Sequence, residues 1–295
     1  MDGLEACLRS LETQTLERSL FEIIVVDNGS IFRPDAEAFK HRGIRLLYES
    51  EPGPGPARNR GVRNAAGNFL FFIDADCRAH PEWLAVALRT LASSQENTIL
   101  GGDVQIWRDN LQRYTMIEAY ESIFAYRQKM QIERFGFSGS GNLAVRRVDF
   151  EKIGPFGGIL IAEDKEWGNR ARAAGFTFKY VQQMIVFTPA RPSIKQLCVQ
   201  WDRLIQQALT TAQEHKYWRI FWTARAFAVC ISPFVDVIEI VRSNQIVGMS
   251  ARFKALAMLV VIRLYRAWRM VTLLRSSNKG VLWNRDVEVG IVDPE

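Results

Sequence analysis

Two short apolar runs, each followed at once by an aspartate, constrain the fold of this chain more than any other feature. The first run, Phe21–Val26, is followed by Asp27 and an Asn-Gly-Ser turn. The second run, Phe69–Ile73, is followed by the sequence Asp-Ala-Asp at positions 74–76. An apolar run of this length that stops at turn residues is typical of a strand buried on both faces, as in parallel sheets. The pattern predicts strands that bring acidic side chains to one edge of a sheet.

Helical segments alternate with these strands. Leucines spaced as on one helix face precede the first strand, and a Gly/Pro-rich loop with a short helix ending near Gly67 precedes the second. This order predicts an α/β fold with an open, doubly wound sheet flanked by helices. From about Ser193 onward the sequence is mostly helical in pattern. We therefore predict one α/β domain over residues 1–205 and a helical C-terminal region over residues 206–295.

Composition excludes several classes of protein. With 295 residues, 48% hydrophobic and 24% charged, the chain is of ordinary globular composition, which argues against disorder or a disulfide scaffold. The net charge of +6 is a mild basic excess, so no nucleic-acid partner is expected. The four cysteines form no Cys-x-x-Cys pair and predict a reducing compartment. The first residues resemble no cleavable signal, so a cytoplasmic location is expected.

The acidic residues that follow the strands suggest a ligand site. In open α/β sheets, ligands bind beyond the carboxyl ends of the strands, and alternate residues such as Asp74 and Asp76 can address one ligand. Carboxylate oxygens suit a divalent cation beside a diphosphate, and the guanidinium of Arg58 suits phosphate. The alternative for the Asp-Ala-Asp sequence is a pair of acids that caps a turn. For Glu163 and Asp164, at a predicted helix start, the alternative is a structural cap.

Four segments in order resemble successive motifs of the family 2 glycosyltransferases, which have a GT-A fold. They read CLRSLETQTLERSLFEIIVVDNGS, GPARNRGVRNAAGNFLFFIDADCRAHPEWL, GSGNLAVRRVDFEKIGPF and AEDKEWGNRARAAGF, within residues 4–205. The resemblance implies an inverting enzyme with a Rossmann-like sheet. Such an enzyme moves a sugar from a nucleotide-diphospho-sugar to a glycan or lipid-linked acceptor with the help of Mg²⁺ or Mn²⁺.

The resemblance also implies a role for each matching residue. The general base would be Asp164, with Glu163 beside it in the acceptor pocket. The metal ligand would be Asp76. The residues expected to contact the donor are Asp27, Arg58, Asp74 and Arg191, and those expected on the acceptor side are Gly141 and Asn142. For Arg191, a solvated surface arginine is an equal alternative.

The sequence departs from the family pattern in three places. The family's opening strand, of the type VSVVIPTYN, is missing before the first helix, which should leave its two neighbouring strands with unpaired edges. Thr188 stands where relatives often carry a histidine that reaches the metal or diphosphate. The segment VQWDRL does not match the Q-x-x-R-W sequence of processive members, which predicts the addition of single sugars. Two alternatives stay open, a truncated non-catalytic binding module and a sugar nucleotidyltransferase.

The segment 251–275 combines basic and apolar residues on one predicted helix. Its arginines Arg263, Arg266 and Arg269 recur every three residues, and apolar side chains fill another side of the helix. A basic helix with a large apolar face often lies in a membrane interface, where arginines meet anionic headgroups. This pattern predicts peripheral contact with an anionic membrane, at the inner face of the plasma membrane. The alternative is a helical pair packed on the protein, with solvated arginines.

Overall fold

The computed structural model describes residues 2–32, 34–158 and 162–274. Within these ranges the chain forms two compact units. The first contains residues up to 107 and residues 126–189, and the second contains residues 108–125 and those from 190 onward. Residues 275–295 of the predicted C-terminal region lie outside the described residues.

The first unit alternates helices and strands, as the sequence predicts. Elements are numbered in chain order over both units. Those of the first unit are α1 (Asp2–Glu12), β1 (Ile23–Asp27), α2 (Ala36–His41), β2 (Ile44–Tyr48), α3 (Pro54–Asn64), β3 (Phe69–Ile73), β4 (Arg78–Ala79), α4 (Trp83–Ser93), β5 (Thr98–Trp107), α6 (Gln128–Met130), β6 (Asn142–Arg146), α7 (Arg147–Ile153), α8 (Glu163–Ala173) and β7 (Thr177–Pro189). This content confirms the predicted α/β class.

The strands form two sheets. Strands β1 and β2 pair in parallel, and a five-stranded sheet has the order β3-β6-β5-β7-β4. In the larger sheet only β5 and β7 pair in parallel, while β6 is antiparallel to both β3 and β5. The sheet is therefore mixed. Within the described part of the chain, β1 pairs only with β2, and β3 pairs only with β6. The other edge of β1 and the other edge of β3 are therefore unpaired.

Strand β3 packs against apolar side chains on both faces, which explains why its sequence is apolar without alternation. Leu70 and Phe72 pack with Phe150 and Trp167 of α7 and α8. Phe71 and its alternate neighbours pack against the cluster that contains α1 and α4. Successive side chains of a strand point to opposite faces, so two helical layers require apolar residues at every position.

The second unit is helical. Its elements are α5 (Met116–Phe124), α9 (Ile194–Ala212), α10 (Trp218–Ile231), α11 (Pro233–Arg242) and α12 (Met249–Leu273). Helix α5 begins at a capping box in which Thr115 and Glu118 satisfy each other's backbone N–H groups. The predicted boundary at residue 205 falls inside α9, whose Leu197 packs in the same core as Ile262 of α12. As a functional division, residue 205 stays a prediction.

The arginines of α12 do not form the solvent-facing basic side that the sequence suggested. Arg263 donates to Asp236 at 2.6 Å, and Arg269 donates to Asp202 at 3.0 Å. The Arg266 guanidinium lies 3.7 Å from the centre of the Trp201 ring, and burial together with Arg263 lowers its pKa to about 10. The three arginines are therefore bound by acids and an aromatic ring of neighbouring helices. No helix in the described ranges is long and apolar enough to cross a membrane.

Candidate active site

The end of β3 presents Asp74 and Asp76 at the surface. The backbone N–H of Cys77 donates to the Asp74 carbonyl at 3.0 Å and closes a turn around the Asp-Ala-Asp sequence. Half of the Asp74 side chain, 48%, is exposed, and Asp76 is exposed as well. The Cys77 thiol lies 3.6 Å from Asp76 Oδ1. Burial and the two carboxylates raise the pKa of this thiol, so it stays protonated. Both acids are thus available to a ligand.

The loop before α3 is held by Asn28, a residue that sequence reasoning missed. The Asn28 amide donates to the carbonyls of Glu49 and Glu51 at 3.0 and 2.6 Å, and its oxygen accepts from the Gly53 N–H at 2.8 Å. Gly53 has φ 125°, a value that L side chains rarely adopt. Asn28 therefore ties the turn after β1 to the start of α3. The signal for it was its place directly after Asp27.

Helix α3 brings Arg58 between the acids of two other segments. Its Nη2 lies 2.7 Å from Asp74 Oδ1, and its Nη1 lies 3.2 Å from Glu163 Oε1. Only 15% of the Arg58 side chain is exposed. Burial opposes the positive charge, but Asp74, Asp164 and Glu163 outweigh it and raise the pKa of Arg58. The guanidinium is therefore a permanent cation at the centre of an acidic group.

The start of α8 contributes two partly buried carboxylates, Glu163 and Asp164. Asp164 Oδ1 accepts a hydrogen bond from the backbone N–H of Ser140 at 3.1 Å. Burial raises the pKa of Asp164, although Arg58 opposes the shift. Burial and the nearby Asp164 likewise raise the pKa of Glu163. The N-cap of α8 is Ala162, and no side chain caps this helix. Asp164 bonds the Ser140 turn and does not act as the cap of its own helix.

The turn that carries Ser140 and Gly141 packs closely against Asp74. A Cβ at Gly141 would lie 2.5 Å from Asp74 Oδ2, so a larger residue there would displace this carboxylate from its present position. Gly141 therefore lies in the same site as Asp74. The sequence did not single out Ser140, whose backbone N–H bonds Asp164 and whose buried hydroxyl also helps to lower the pKa of that carboxyl.

Asn142 has a different environment from the one expected for an acceptor-side residue. Its side chain is fully buried, and its amide donates to the carbonyls of Asp103 and Met184 at 2.7 and 2.9 Å. Its oxygen accepts from the Trp83 indole at 2.9 Å. The pairing of β5 with β7 shifts after Gly102, and the amide bonds two carbonyls beside that irregularity. Its side chain therefore joins strands, and no polar group of it is left for an acceptor.

Asp27, Thr188 and Arg191, three further predicted positions, each have other contacts. Asp27 is buried, and its Oδ1 accepts from the Ser30 N–H at 2.9 Å. Thr188 is buried in β7 and lies beside Cys77. Arg191 belongs to the second unit, where it lies 3.7 Å from the buried carboxylate of Glu121. The donor contacts of Asp27 and Arg191 stay predictions.

The first unit thus brings together Arg58, Asp74, Gly141, Glu163 and Asp164, from segments far apart in the chain. Within the described ranges, no three His, Cys, Asp or Glu side chains are grouped to hold a metal ion. Any cation bound by Asp76 would need further ligands from a bound molecule or water.

Comparison with known proteins gives consistent results. A family model described as glycosyl transferase family 2 matches residues 2–154. Glycosyltransferase AglE of Haloferax volcanii is 32% identical over 198 residues, which are 65% of this chain and 64% of AglE. The uncharacterized glycosyltransferase YibD of Escherichia coli is 37% identical over 86 residues, 27% of this chain and 24% of YibD. The chain therefore spans less than two thirds of the length of these relatives.

A solved structure shares the fold. The mannosyltransferase PcManGT from Pyrobaculum calidifontis, in complex with GDP-Man and Mn²⁺, superposes with a TM-score of 0.56 at 18% identity. The superposition covers 94% of this chain and 84% of PcManGT, and it confirms the predicted GT-A type of fold. The family match covers half of the chain and contains β1, α3 and β3, the elements that carry Asp27, Arg58 and the Asp-Ala-Asp sequence. The chain belongs to glycosyl transferase family 2.

Proposed function

We propose that this chain is an inverting glycosyltransferase that moves one sugar from a nucleotide-diphospho-sugar to an acceptor hydroxyl. One observation carries the proposal. The guanidinium of Arg58 bridges Asp74 at the end of β3 and Glu163 at the start of α8, with Asp164 beside it. A largely buried cation next to the exposed Asp74 suits a diphosphate, and the partly buried carboxylate of Asp164 suits a proton acceptor.

Asp164 is the proposed general base. A sugar hydroxyl is a poor nucleophile, so a carboxylate must take its proton while the new bond to the anomeric carbon forms. The bond from that carbon to the diphosphate oxygen breaks on the opposite face, and its electron pair leaves with the nucleoside diphosphate. Opposite-face attack inverts the anomeric centre. The raised pKa of Asp164 suits this role because it brings the base closer to the pH at which the enzyme works.

The leaving diphosphate requires positive charge nearby. Arg58 can supply it by exchanging its bond to Asp74 for one to a phosphate oxygen. Asp76, with Asp74 next to it, has the oxygen ligands that Mg²⁺ or Mn²⁺ prefers, and such a cation would neutralise charge on the diphosphate. The other ligands would come from the diphosphate and water, since no three such side chains in the described ranges are grouped to hold the ion. The Mn²⁺ and GDP-Man in PcManGT support a nucleotide-sugar donor with a divalent cation.

The proposed acceptor is a glycan or a lipid-linked sugar that approaches the side of Gly141, at the inner face of the plasma membrane. A single addition per binding event is proposed because the VQWDRL segment lacks the processive sequence.

The test compares Asp164→Asn with Glu166→Gln, a change of the same kind in the same helical turn. Glu166 pairs with Arg170 at the surface and does not take part in the site. We expect Asp164→Asn to lose transfer by a factor of about 10²–10⁴ and to keep binding of UDP or GDP, whereas Glu166→Gln transfers normally. Normal transfer by Asp164→Asn would refute its role as the base.

Two assays test the alternative functions, a non-catalytic binding module and a sugar nucleotidyltransferase. Folded wild-type protein that binds neither UDP nor GDP with Mn²⁺ present would support a non-catalytic module. Formation of a sugar nucleotide from a sugar phosphate and a nucleoside triphosphate would support a nucleotidyltransferase.

A further inference from the structure

Helix α12 has an apolar side that faces solvent along most of its length. Phe253, Val260, Leu264, Trp268 and Val271 lie on this side, between 37% and 73% exposed. Their spacing of seven, four, four and three residues keeps them on one side of the helix over about 27 Å. The opposite side of α12 carries other apolar residues that pack in the core of the unit. The helix is thus apolar on two opposite sides, and its own unit buries only one of them.

Helices α10 and α11 show the same feature. On α11, Phe234, Val235, Ile238 and Val241 are 52–84% exposed, at the spacing that normally marks the side turned to a core. On α10, Ile220, Phe227 and Ile231 are exposed at positions four or seven residues apart. We call these side chains, with those of α12, the outer apolar surface.

The helices that carry this surface pack together as one body. The Trp222 indole of α10 donates to the Met270 carbonyl of α12 at 3.0 Å, and Asp236 of α11 pairs with Arg263. The exposed side chains therefore stand on a supported framework and not on frayed helices. Isolated exposed apolar residues are normal in proteins, but stripes on three packed helices indicate an interaction surface.

The net charge of the segment that carries the outer apolar surface indicates the chemistry of its partner. Residues 213–274 contain nine Lys or Arg and three Asp or Glu, a net charge of +6, equal to that of the whole chain. Three of the arginines are held internally, as described above, but Lys216, Arg219, Arg225 and Arg242 are exposed on α10, on α11 and just before α10. An apolar surface with basic side chains beside it matches the apolar interior and anionic headgroups of a lipid surface.

A second copy of the chain fits less well. Two copies joined through this surface would bring together two segments 213–274, each with a net charge of +6. Like charges disfavour association. An anionic bilayer has the opposite charge.

We propose that the outer apolar surface lies in the interface of an anionic bilayer, with α10, α11 and α12 near the membrane plane. Membrane contact then comes from the apolar stripes, and Arg263, Arg266 and Arg269 serve internal packing instead of headgroups. The inference is independent of which sugar is transferred, and it rests on the proposed function only in that it would place a lipid-linked acceptor near the enzyme.

Sedimentation with vesicles tests the proposal. Wild-type chain should bind vesicles of equal parts phosphatidylcholine and phosphatidylglycerol more tightly than phosphatidylcholine alone. The triple variant Phe253→Gln, Leu264→Gln, Trp268→Gln should lose about a hundredfold in partitioning, because three large apolar side chains no longer enter the interface. The matched control changes three exposed apolar residues elsewhere, Leu20→Gln, Leu111→Gln and Val148→Gln, and should bind like wild type.

Two further measurements support the assignment. Arg219→Gln with Arg242→Gln should weaken binding to the anionic vesicles and leave the weaker binding to phosphatidylcholine unchanged. Bilayers with brominated acyl chains should quench tryptophan fluorescence of wild type more than that of Trp268→Phe, because Trp268 reaches the acyl chains.

Several results would overturn the proposal. They are equal vesicle binding by the triple variant and wild type, no vesicle binding by monodisperse wild type, or a wild-type dimer that the triple substitution dissociates. Titration of UDP or GDP with Mn²⁺ in the absence of vesicles is run on every variant. Normal nucleotide binding with no vesicle binding would reject the membrane surface alone, and the reverse would reject the proposed donor site alone.

Discussion

Substitution of Asn142 by alanine distinguishes a structural role for this residue from the acceptor-side role that the sequence predicted. The alanine would leave three polar groups without their partner, which are the carbonyls of Asp103 and Met184 and the indole N–H of Trp83. Met184 and Trp83 are almost completely buried, so water cannot easily replace the amide. An unsatisfied buried polar group costs about 1–3 kcal/mol.

Three such groups predict that Asn142→Ala loses at least about 3 kcal/mol in the free energy of unfolding. Urea unfolding followed by circular dichroism measures the loss from the midpoint and slope of the transition. The control is Asn64→Ala on α3, where the amide makes one bond to the Arg60 carbonyl of the same helix and a loss under about 1 kcal/mol is expected.

The structural reading also predicts how catalysis responds. Asn142 pairs with Ile73 in the ladder of β6 and β3, directly before the Asp-Ala-Asp turn, so a loosened strand should weaken donor binding and acceptor binding together. A variant that unfolds like wild type but has a raised KM for the acceptor alone would refute this reasoning and restore the acceptor-side role.

Three further predictions concern the charges of the site. Arg58→Gln should move the acid limb of the pH dependence of kcat/KM to higher pH, because the cation that opposes the raised pKa of Asp164 is gone, while Arg63→Gln on the same helix should leave the limb in place. Asp164→Asn should melt at a higher temperature than wild type at neutral pH. Burial raises the pKa of Asp164 in the folded state. The stabilisation from its bound proton is therefore full below the unfolded pKa and is lost as the pH rises through the raised folded value. The difference in melting temperature between Asp164→Asn and wild type should disappear in acid, and a difference that stays constant with pH would contradict the argument. Asp76→Asn should weaken the Mn²⁺-dependent part of nucleotide binding in calorimetry, and Asp35→Asn, at the cap of α2, should not; equal loss in both would exclude Asp76 as the ligand.

The sequence predicted the acids of the site because strands end where their apolar runs end. The run before Asp74 is β3 in the structure, and the Glu163-Asp164 pair does start α8. It could not predict that Arg58 bridges Asp74 and Glu163, which are 16 and 105 residues away from it. That contact depends on how α3 and α8 pack on the sheet.

Hydrogen-bonding side chains were the least predictable. Asn28 and Asn142 are of one residue type, yet one pins a loop and the other joins strands beside an irregular pairing. Sequence pattern reports which residues are polar, and it does not report which carbonyls are left without partners after folding. The pairing shift between β5 and β7 creates such carbonyls only in the folded sheet.

For α12, helical periodicity predicted one basic side, at a membrane, and one apolar side. Asp202 on α9 and Asp236 on α11 attract the arginines inward, and the apolar stripe that faces outward differs from the one in the core. Local periodicity by itself determined the helices, the buried strands and the acids at their ends, because these depend on neighbours along the chain. Tertiary packing alone decided which acids meet Arg58 and which side of α12 is exposed, because charges and apolar surfaces find partners across space.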